Sequence, residues 1–296
     1  MISIIIPTFN RSNSLLIAVQ SILNHQNKNI EIIVIDDGST DNTKIAIEAL
    51  KNPLIKYIEN TKNIGTVQSK IDGITLAKGE YIGFLDDDDI WTSDTKKLDD
   101  ITTNADIIMY NFKMNYCVNN NQYLSSLNKH ATNFTQHITA NIGGIFMQAC
   151  LFKKEFIQLH KKHLDSLAMP SEDWDFFLSL SQYNPIIKHK QSTLFQWNFH
   201  AASQSGHYHN ETSALKYILN KHALLFNKKR EVLGHHYRIL SNRYYYDHDY
   251  QSGNRFIKKS FKIYPYSIKT MIVRMVLFFP VFFQTILIKK YTQKII

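Results

Sequence analysis

Apolar residues in the first ninety positions fall into short unbroken runs, separated by stretches with helical spacing. Residues 2–6 (ISIII) are apolar apart from Ser3 and stop at Pro7; residues 30–35 (IEIIVI), 55–58 and 81–85 repeat the pattern. Runs without polar alternation mark strands covered on both faces. Between them Leu15, Leu16, Val19, Ile22 and Leu23 recur at helical spacing, behind caps offered at positions 10–13. Asp41 stands where it can cap a second helix through Ile45, Ala46, Ala49 and Leu50, and residues 66–77 form a third. Strands alternating with helices predict an α/β fold with a doubly wound parallel sheet, whose ligands bind beyond the carboxyl ends of the strands. The polar clusters fall at those ends: Pro7-Thr8-Phe9-Asn10, Asp36-Asp37, Asn63-Ile64-Gly65, and Asp86-Asp87-Asp88-Asp89. The first of these turns has no glycine, which argues against a dinucleotide fingerprint.

The C-terminal pattern differs. Residues 275–288 are almost continuously apolar, broken by Pro280, Gln284 and Thr285, with Lys258, Lys259, Lys262, Lys269 and Arg274 before them and Lys289, Lys290 and Lys294 after. A spanning helix needs roughly 20 apolar residues. This shorter run with basic flanks suits a segment lying in an anionic membrane interface, with a buried core helix as the alternative. The N-terminus lacks the basic start, longer apolar stretch and small-residue cleavage site of a secretory signal.

Composition sharpens this picture at two points. The 296 residues are 44% hydrophobic and 20% charged, which excludes disordered and collagen-like classes. The mean hydropathy of -0.26 excludes a polytopic membrane protein. The net charge of +9 points to an anionic partner, yet most aspartates lie in the first hundred residues, while the last eighty are rich in Lys, Arg, Tyr and His. Cys117 and Cys150 are too few for a disulfide framework, and Cys150 reads as a small buried hydrophobe.

Four consecutive aspartates repel one another unless something neutralises them. They either hold a hard cation such as Mn²⁺ or Mg²⁺ or form a solvated acidic cap on a following helix; paired with Asp36-Asp37, the run favours a metal and a nucleotide. Residues 170–180 (PSEDWDFFLSL) predict a second acidic site, a helix capped by Ser171 with Glu172 and Asp173 in its first turn, pointing away from the apolar face. Gly143-Gly144 reads as a loop or a tight strand entry, and His207 and His209 as an undistinguished pair. The adjacent His235 and His236 do not share a helical face.

Taken in order, residues 3–11 (SIIIPTFNR), 31–41 (EIIVIDDGSTD), 63–65 (NIG) and 79–89 (GEYIGFLDDDD) resemble the family 2 glycosyltransferases, of the bacterial surface-glycan type. The resemblance implies a GT-A fold (a Rossmann-like doubly wound mixed sheet) followed by a helical C-terminal region. It further implies a UDP-sugar donor, a divalent metal and inversion at the anomeric carbon. Carried over, Pro7, Thr8, Asn10, Asp36, Asn63, Lys70, Asp86 and Asp87 would line the nucleotide-sugar site, and Asp37 would accept from the uracil imide. Lys70 stands where the family often has arginine, keeping the charge without the bidentate fork. Asp88 would be the direct metal ligand, with Asp86 and His200 as further candidates, and Asp89 a helix cap. Asp173 matches the general base, Glu172 would position the acceptor, and Trp174 would stack on a sugar or fill the core. Residues 197–205 (WNFHAASQS) resemble a decayed family loop, with Asn198 in place of an arginine.

The resulting expectation is a catalytic domain over residues 1–210, with 1–105 on the nucleotide side and 106–210 on the acceptor side. Residues 211–296 would be a helical region bearing the membrane-associating segment. The acceptor implied is a lipid-linked, lipooligosaccharide or capsular glycan, at the cytoplasmic face of the cell membrane. A non-catalytic nucleotide-sugar-binding or scaffold protein is the alternative; the two intact acidic sites argue against it. The basic tail carries no recognised nucleic-acid module.

Overall fold

The computed structural model describes residues 1–25, 29–92, 104–116, 121–125, 138–139, 146–199 and 208–276. The first four strands are β1 (Ile2–Thr8), β2 (Ile30–Asp36), β3 (Ile55–Glu59) and β4 (Tyr81–Phe84), with α1 (Ser12–Leu23), α2 (Thr43–Glu48) and α3 (Thr66–Leu76) between them. They are parallel in the order β3-β2-β1-β4. β1 and β2 owe their places to apolar side chains: Ile4, Ile5, Ile6, Ile32, Ile33, Val34 and Ile35 are fully buried, each removing about 1.5–3 kcal/mol of apolar exposure.

Beyond β4 the sheet turns mixed. It continues through β5 (Ile90–Trp91), β6 (Ile107–Tyr116), β7 (Asn121–Ser125), β8 (Cys150–Lys153) and β9 (Ile187–Phe199), in the spatial order β4-β8-β6-β9-β5 with β7 on β6. β8 runs antiparallel to both β4 and β6, whereas β9 is parallel to β6 and antiparallel to β5. On this side lie α4 (Lys154–His160) and α5 (Glu172–Leu180).

Two details differ from the sequence expectation. The aspartate run leads into β5 rather than a helix, so Asp89 caps nothing: it is buried, and its Oδ1 accepts from the Asn198 backbone N–H at 2.8 Å. Residues 197–199 are the end of β9 rather than a loop. The reason is shared, because β5 pairs with β9 across a hundred residues of chain and draws both segments into the sheet.

Compact clustering divides the chain into one unit of Met1–Ser166 with Glu172–Ser203 and another of Leu167–Ser171 with Gln204–Ile296. The second unit contains α6 (Tyr208–Lys221), α7 (Ala223–Asn227), α8 (Arg230–Tyr246), α9 (Tyr250–Ile263) and α10 (Ile268–Val276). Small residues let α8 and α9 approach closely. Ser241 Oγ donates to the Gly253 carbonyl at 2.8 Å, Ser260 Oγ donates to the Gly234 carbonyl at 2.6 Å, and a Cβ on Gly253 would sit 3.0 Å from the Tyr245 ring. On α10, Ile268, Ile272 and Met275 are exposed. Among the described residues no helix is long and apolar enough to cross a membrane. Most of the apolar run 275–288 lies outside the described residues, as do His200, His207, Gly143 and Gly144.

Candidate active site

The carboxyl ends of β1, β2 and β4 bring the predicted polar clusters together, because parallel strands in register end side by side: Thr8 is level with Asp36, and Ile5 with Phe84. Asp36 is buried; its Oδ1 accepts from the Ser39 N–H at 2.8 Å and its other oxygen from the Tyr57 hydroxyl. Asp37 is also buried and anchors the segment ahead of α3. Its Oδ1 accepts from the Ile64 N–H at 2.8 Å and Asn60 Nδ2 at 3.2 Å, and its Oδ2 from the Gly65 N–H at 2.8 Å. Gly65 has a φ of 92°, a left-handed conformation that favours glycine and allows this approach. Asn10 (φ 54°) holds the neighbouring loop, its Oδ1 accepting from the Thr40 N–H at 2.7 Å. Pro7 is buried in β1, and Asn63 is exposed.

The aspartate run is wired rather than loose. Asp86 Oδ2 accepts from Gln148 Nε2 at 2.6 Å, and the Asp86 N–H donates to Gln148 Oε1 at 3.2 Å. Asp87 Oδ2 accepts from Thr8 Oγ1 at 2.7 Å. Arg11 Nη1 lies 3.0 Å from Asp87 Oδ1 and 2.6 Å from Asp88 Oδ2. Asn198 Nδ2 donates to the Asp88 carbonyl at 3.0 Å. Burial pushes Asp86 up to about 7 even though Lys70 pulls it down, and burial raises Asp87 to about 6 against the hydrogen bond from Thr8 and the charge of Arg11.

The second acidic site meets the first through one side chain. Lys70, buried on α3, places Nζ 2.9 Å from Glu172 Oε1 and 3.3 Å from Asp173 Oδ1, and its charge also acts on Asp86. Asp173 Oδ2 accepts from the Met147 N–H at 2.8 Å. Glu172 and Asp173 therefore do not point away from the core as the helical pattern predicted. Helix α5 is buried nearly all round, so its first turn faces Lys70. Burial raises Asp173, and Lys70 opposes that by favouring the carboxylate. Trp174 fills the core, donating Nε1–H to the Ile138 carbonyl at 2.6 Å. Lys70→Ala would leave two buried carboxylates without their cation, and breaking a buried pair in this way costs about 3–5 kcal/mol. Urea unfolding should show that loss as a lower midpoint at unchanged slope; an unchanged midpoint would mean the ion pairs carry no stability.

The family model described as glycosyl transferase family 2 matches residues 3–159, more than half of the chain. The chain belongs to glycosyltransferase family 2. Relatives of this glycosyltransferase include an Escherichia coli UDP-Glc:alpha-D-GlcNAc-diphosphoundecaprenol beta-1,3-glucosyltransferase, 40% identical over 31% of this chain and 37% of that protein. A Campylobacter jejuni GalNAc(5)-diNAcBac-PP-undecaprenol beta-1,3-glucosyltransferase is 44% identical over 30% of this chain and 29% of that one. The match thus spans about a third of these relatives' length. Among solved structures, S. aureus TarS 1-349 in complex with UDP-GlcNAc aligns with 99% of this chain and 92% of its own, at TM-score 0.65 and 15% identity. The mannosyltransferase PcManGT from Pyrobaculum calidifontis, in complex with GDP-Man and Mn²⁺, aligns with 97% of this chain and 84% of its own, at TM-score 0.58 and 13% identity. The glycosyltransferase has the GT-A fold that the motifs implied.

Among the described residues no three His, Cys, Asp or Glu side chains form a ready metal cage. A Mg²⁺-type ion completed by substrate phosphates needs only one or two protein carboxylates, so the donor set still fits such an ion. Charge supports the fit. The acidic residues 86–89, 172 and 173 have only Arg11 and Lys70 in ion-pair contact among the described residues, and the buried Asp89 Oδ2 has no hydrogen-bond partner there. Of the three DXD aspartates, Asp88 is the one with a partly open carboxylate that no neutral donor holds among the described residues. Sequence reasoning assigned no role to Arg11 or Gln148 and read Asn198 only as a missing arginine. Arg11 stood within a quoted motif, but Gln148 lay in an apolar run with no local signal.

Proposed function

We infer that this glycosyltransferase moves a hexose or N-acetylhexosamine from a UDP-sugar to a hydroxyl of a lipid-linked glycan acceptor, with inversion and with Mn²⁺ or Mg²⁺. The observation that carries the reading is the closeness of two carboxylate sites: the Met147 N–H binds Asp173 while the adjacent Gln148 binds Asp86 of the DXD run, and Lys70 pairs with Glu172 and Asp173. An inverting transfer needs these two parts, one at the leaving diphosphate and one at the incoming hydroxyl.

In this reading Thr8, Asp37 and the loops held by Asn10 and Asp37 shape the nucleoside pocket. Asp86 and Asp87, fixed by Gln148 and Thr8, face the ribose and sugar. Asp88 would supply the direct oxygen ligand to a divalent ion, which when bound would act as a Lewis acid on the leaving diphosphate. Asp173 takes the proton from the acceptor hydroxyl as its oxygen bonds to the anomeric carbon; the sugar–phosphate bond breaks, and its electron pair leaves with UDP. Lys70 and the Met147 N–H orient that carboxylate and favour its ionised form against burial, and Glu172, on the same lysine, positions the acceptor side.

The lipid-linked acceptor is supported by the names of the E. coli and C. jejuni relatives, and the UDP-sugar by the TarS complex. The exposed apolar residues Ile268, Ile272 and Met275, spaced along one side of α10, suit peripheral attachment to a membrane, and the inner face of the cell membrane is the side proposed for it. Purified protein with Mn²⁺ and a lipid-linked acceptor extract should release UDP from one member of a UDP-glucose, UDP-galactose and UDP-N-acetylhexosamine panel. UDP binding without turnover of any donor would favour the non-catalytic alternative.

A further inference from the structure

Arg11 occupies a position for a positive charge without being committed to it. Its backbone is fixed as the residue that opens α1, with its carbonyl accepting from the Leu15 N–H at 3.0 Å. Its side chain crosses to the end of β4 and remains 38% exposed. Through a single nitrogen it bridges Asp87 Oδ1 at 3.0 Å and Asp88 Oδ2 at 2.6 Å. Asp87 keeps a second anchor in Thr8, whereas Asp88 has Arg11 as its only ion-pair partner among the described residues.

We propose that Arg11 is a place-holding cation: it neutralises Asp87 and Asp88 while the site is empty and yields Asp88 to the divalent ion only when a nucleotide diphosphate arrives to receive the guanidinium. The inference rests on the metal-dependent reading above. Two positive charges compete for the Asp88 carboxylate, so a bare ion loosens Arg11 from Asp88 Oδ2 and leaves it with Asp87 alone. An ion that comes with a diphosphate brings a replacement for the lost Asp88 contact, because phosphate oxygens pair with a guanidinium as carboxylates do. Arg11 thereby couples the two ligands. Metal alone binds weakly, metal with UDP binds tightly, and each must raise the other's affinity by the same factor. The device keeps Asp87 and Asp88 neutralised between turnovers and keeps the ion from settling where no donor is present.

The test is Mn²⁺ binding, followed by electron paramagnetic resonance of the free ion, with and without UDP and with no sugar or acceptor present. Arg11→Gln should bind Mn²⁺ alone about tenfold more tightly than the native protein, the scale of one charge-assisted hydrogen bond removed from competition. The factor by which UDP strengthens Mn²⁺ binding should shrink correspondingly. Arg11→Lys, which keeps a charge near the same carboxylates, should stay close to native; it also serves as the second variant if the glutamine form does not fold. If native protein binds Mn²⁺ with UDP while Arg11→Gln binds Mn²⁺ alone no more tightly and retains the full coupling, Arg11 is not a place-holder. If native protein binds no Mn²⁺ even with UDP, the metal reading itself falls and takes this proposal with it.

Discussion

Asp88→Ala should lower Mn²⁺-dependent UDP release by about 10²–10³-fold, the scale of losing one group aimed at charge that develops in the transition state. The reasoning is geometric. Asp86 is clamped by both ends of the Gln148 amide, and Asp87 is bound by Thr8, so both are tied to the protein through neutral donors. Among the described residues the Asp88 carboxylate is held by Arg11 alone, whose side chain is 38% exposed. Removing its carboxylate takes away the most available oxygen ligand, and Arg11 can still pair with Asp87. Because the side chain is 22% exposed, the fold should tolerate the change, with an unfolding midpoint near native. Full UDP release by a folded Asp88→Ala protein would show that the direct ligand lies elsewhere.

Asp173→Asn should lower transfer by about 10²–10⁴-fold, the usual contribution of a positioned general base, while leaving UDP affinity near native. Asparagine preserves shape and can still accept from the Met147 N–H, but it has no basic oxygen pair for the acceptor proton. Lys70 keeps Glu172 as its ion-pair partner in the variant. The sign of the pH dependence follows from burial. The folded Asp173 value is raised above the ordinary carboxylate range, so in the native enzyme the ionised base is present at higher pH and transfer falls as pH drops through that raised value. Equal loss of UDP binding and of transfer in Asp173→Asn would instead assign Asp173 to the nucleotide side, acting through Lys70.

The parallel half of the sheet was legible because its signals are local. An isoleucine run, a turn cluster and a helical period each sit within about ten residues, and β1, β2, β3 and β4 form within two residues of the expected boundaries. Pro7, Thr8, Asp36, Asp37 and the DXD aspartates converge because parallel strands end at one edge, which strand order alone implies. Asp41 meets its helix by a related local route, accepting from the Thr43 N–H at 3.0 Å, one residue earlier than a regular cap. The antiparallel half was less legible. Asp89 looked like a helix cap and residues 197–205 like a loop, because the pairing of β5 with β9 leaves no short-range signature.

The sequence by itself determined which residues are charged, which segments are strands buried on both faces, and that four acidic or polar clusters stand at strand ends. Those properties follow from side-chain chemistry, from unbroken apolar runs and from the 3.6-residue helical period. Only the tertiary structure decided what each charge faces. It set Lys70 between Glu172 and Asp173, a hundred residues away, Gln148 against Asp86, and Arg11 across Asp87 and Asp88. The physical reason is that a carboxylate's behaviour depends on burial and on the nearest opposite charge, and in this protein both come from distant parts of the chain.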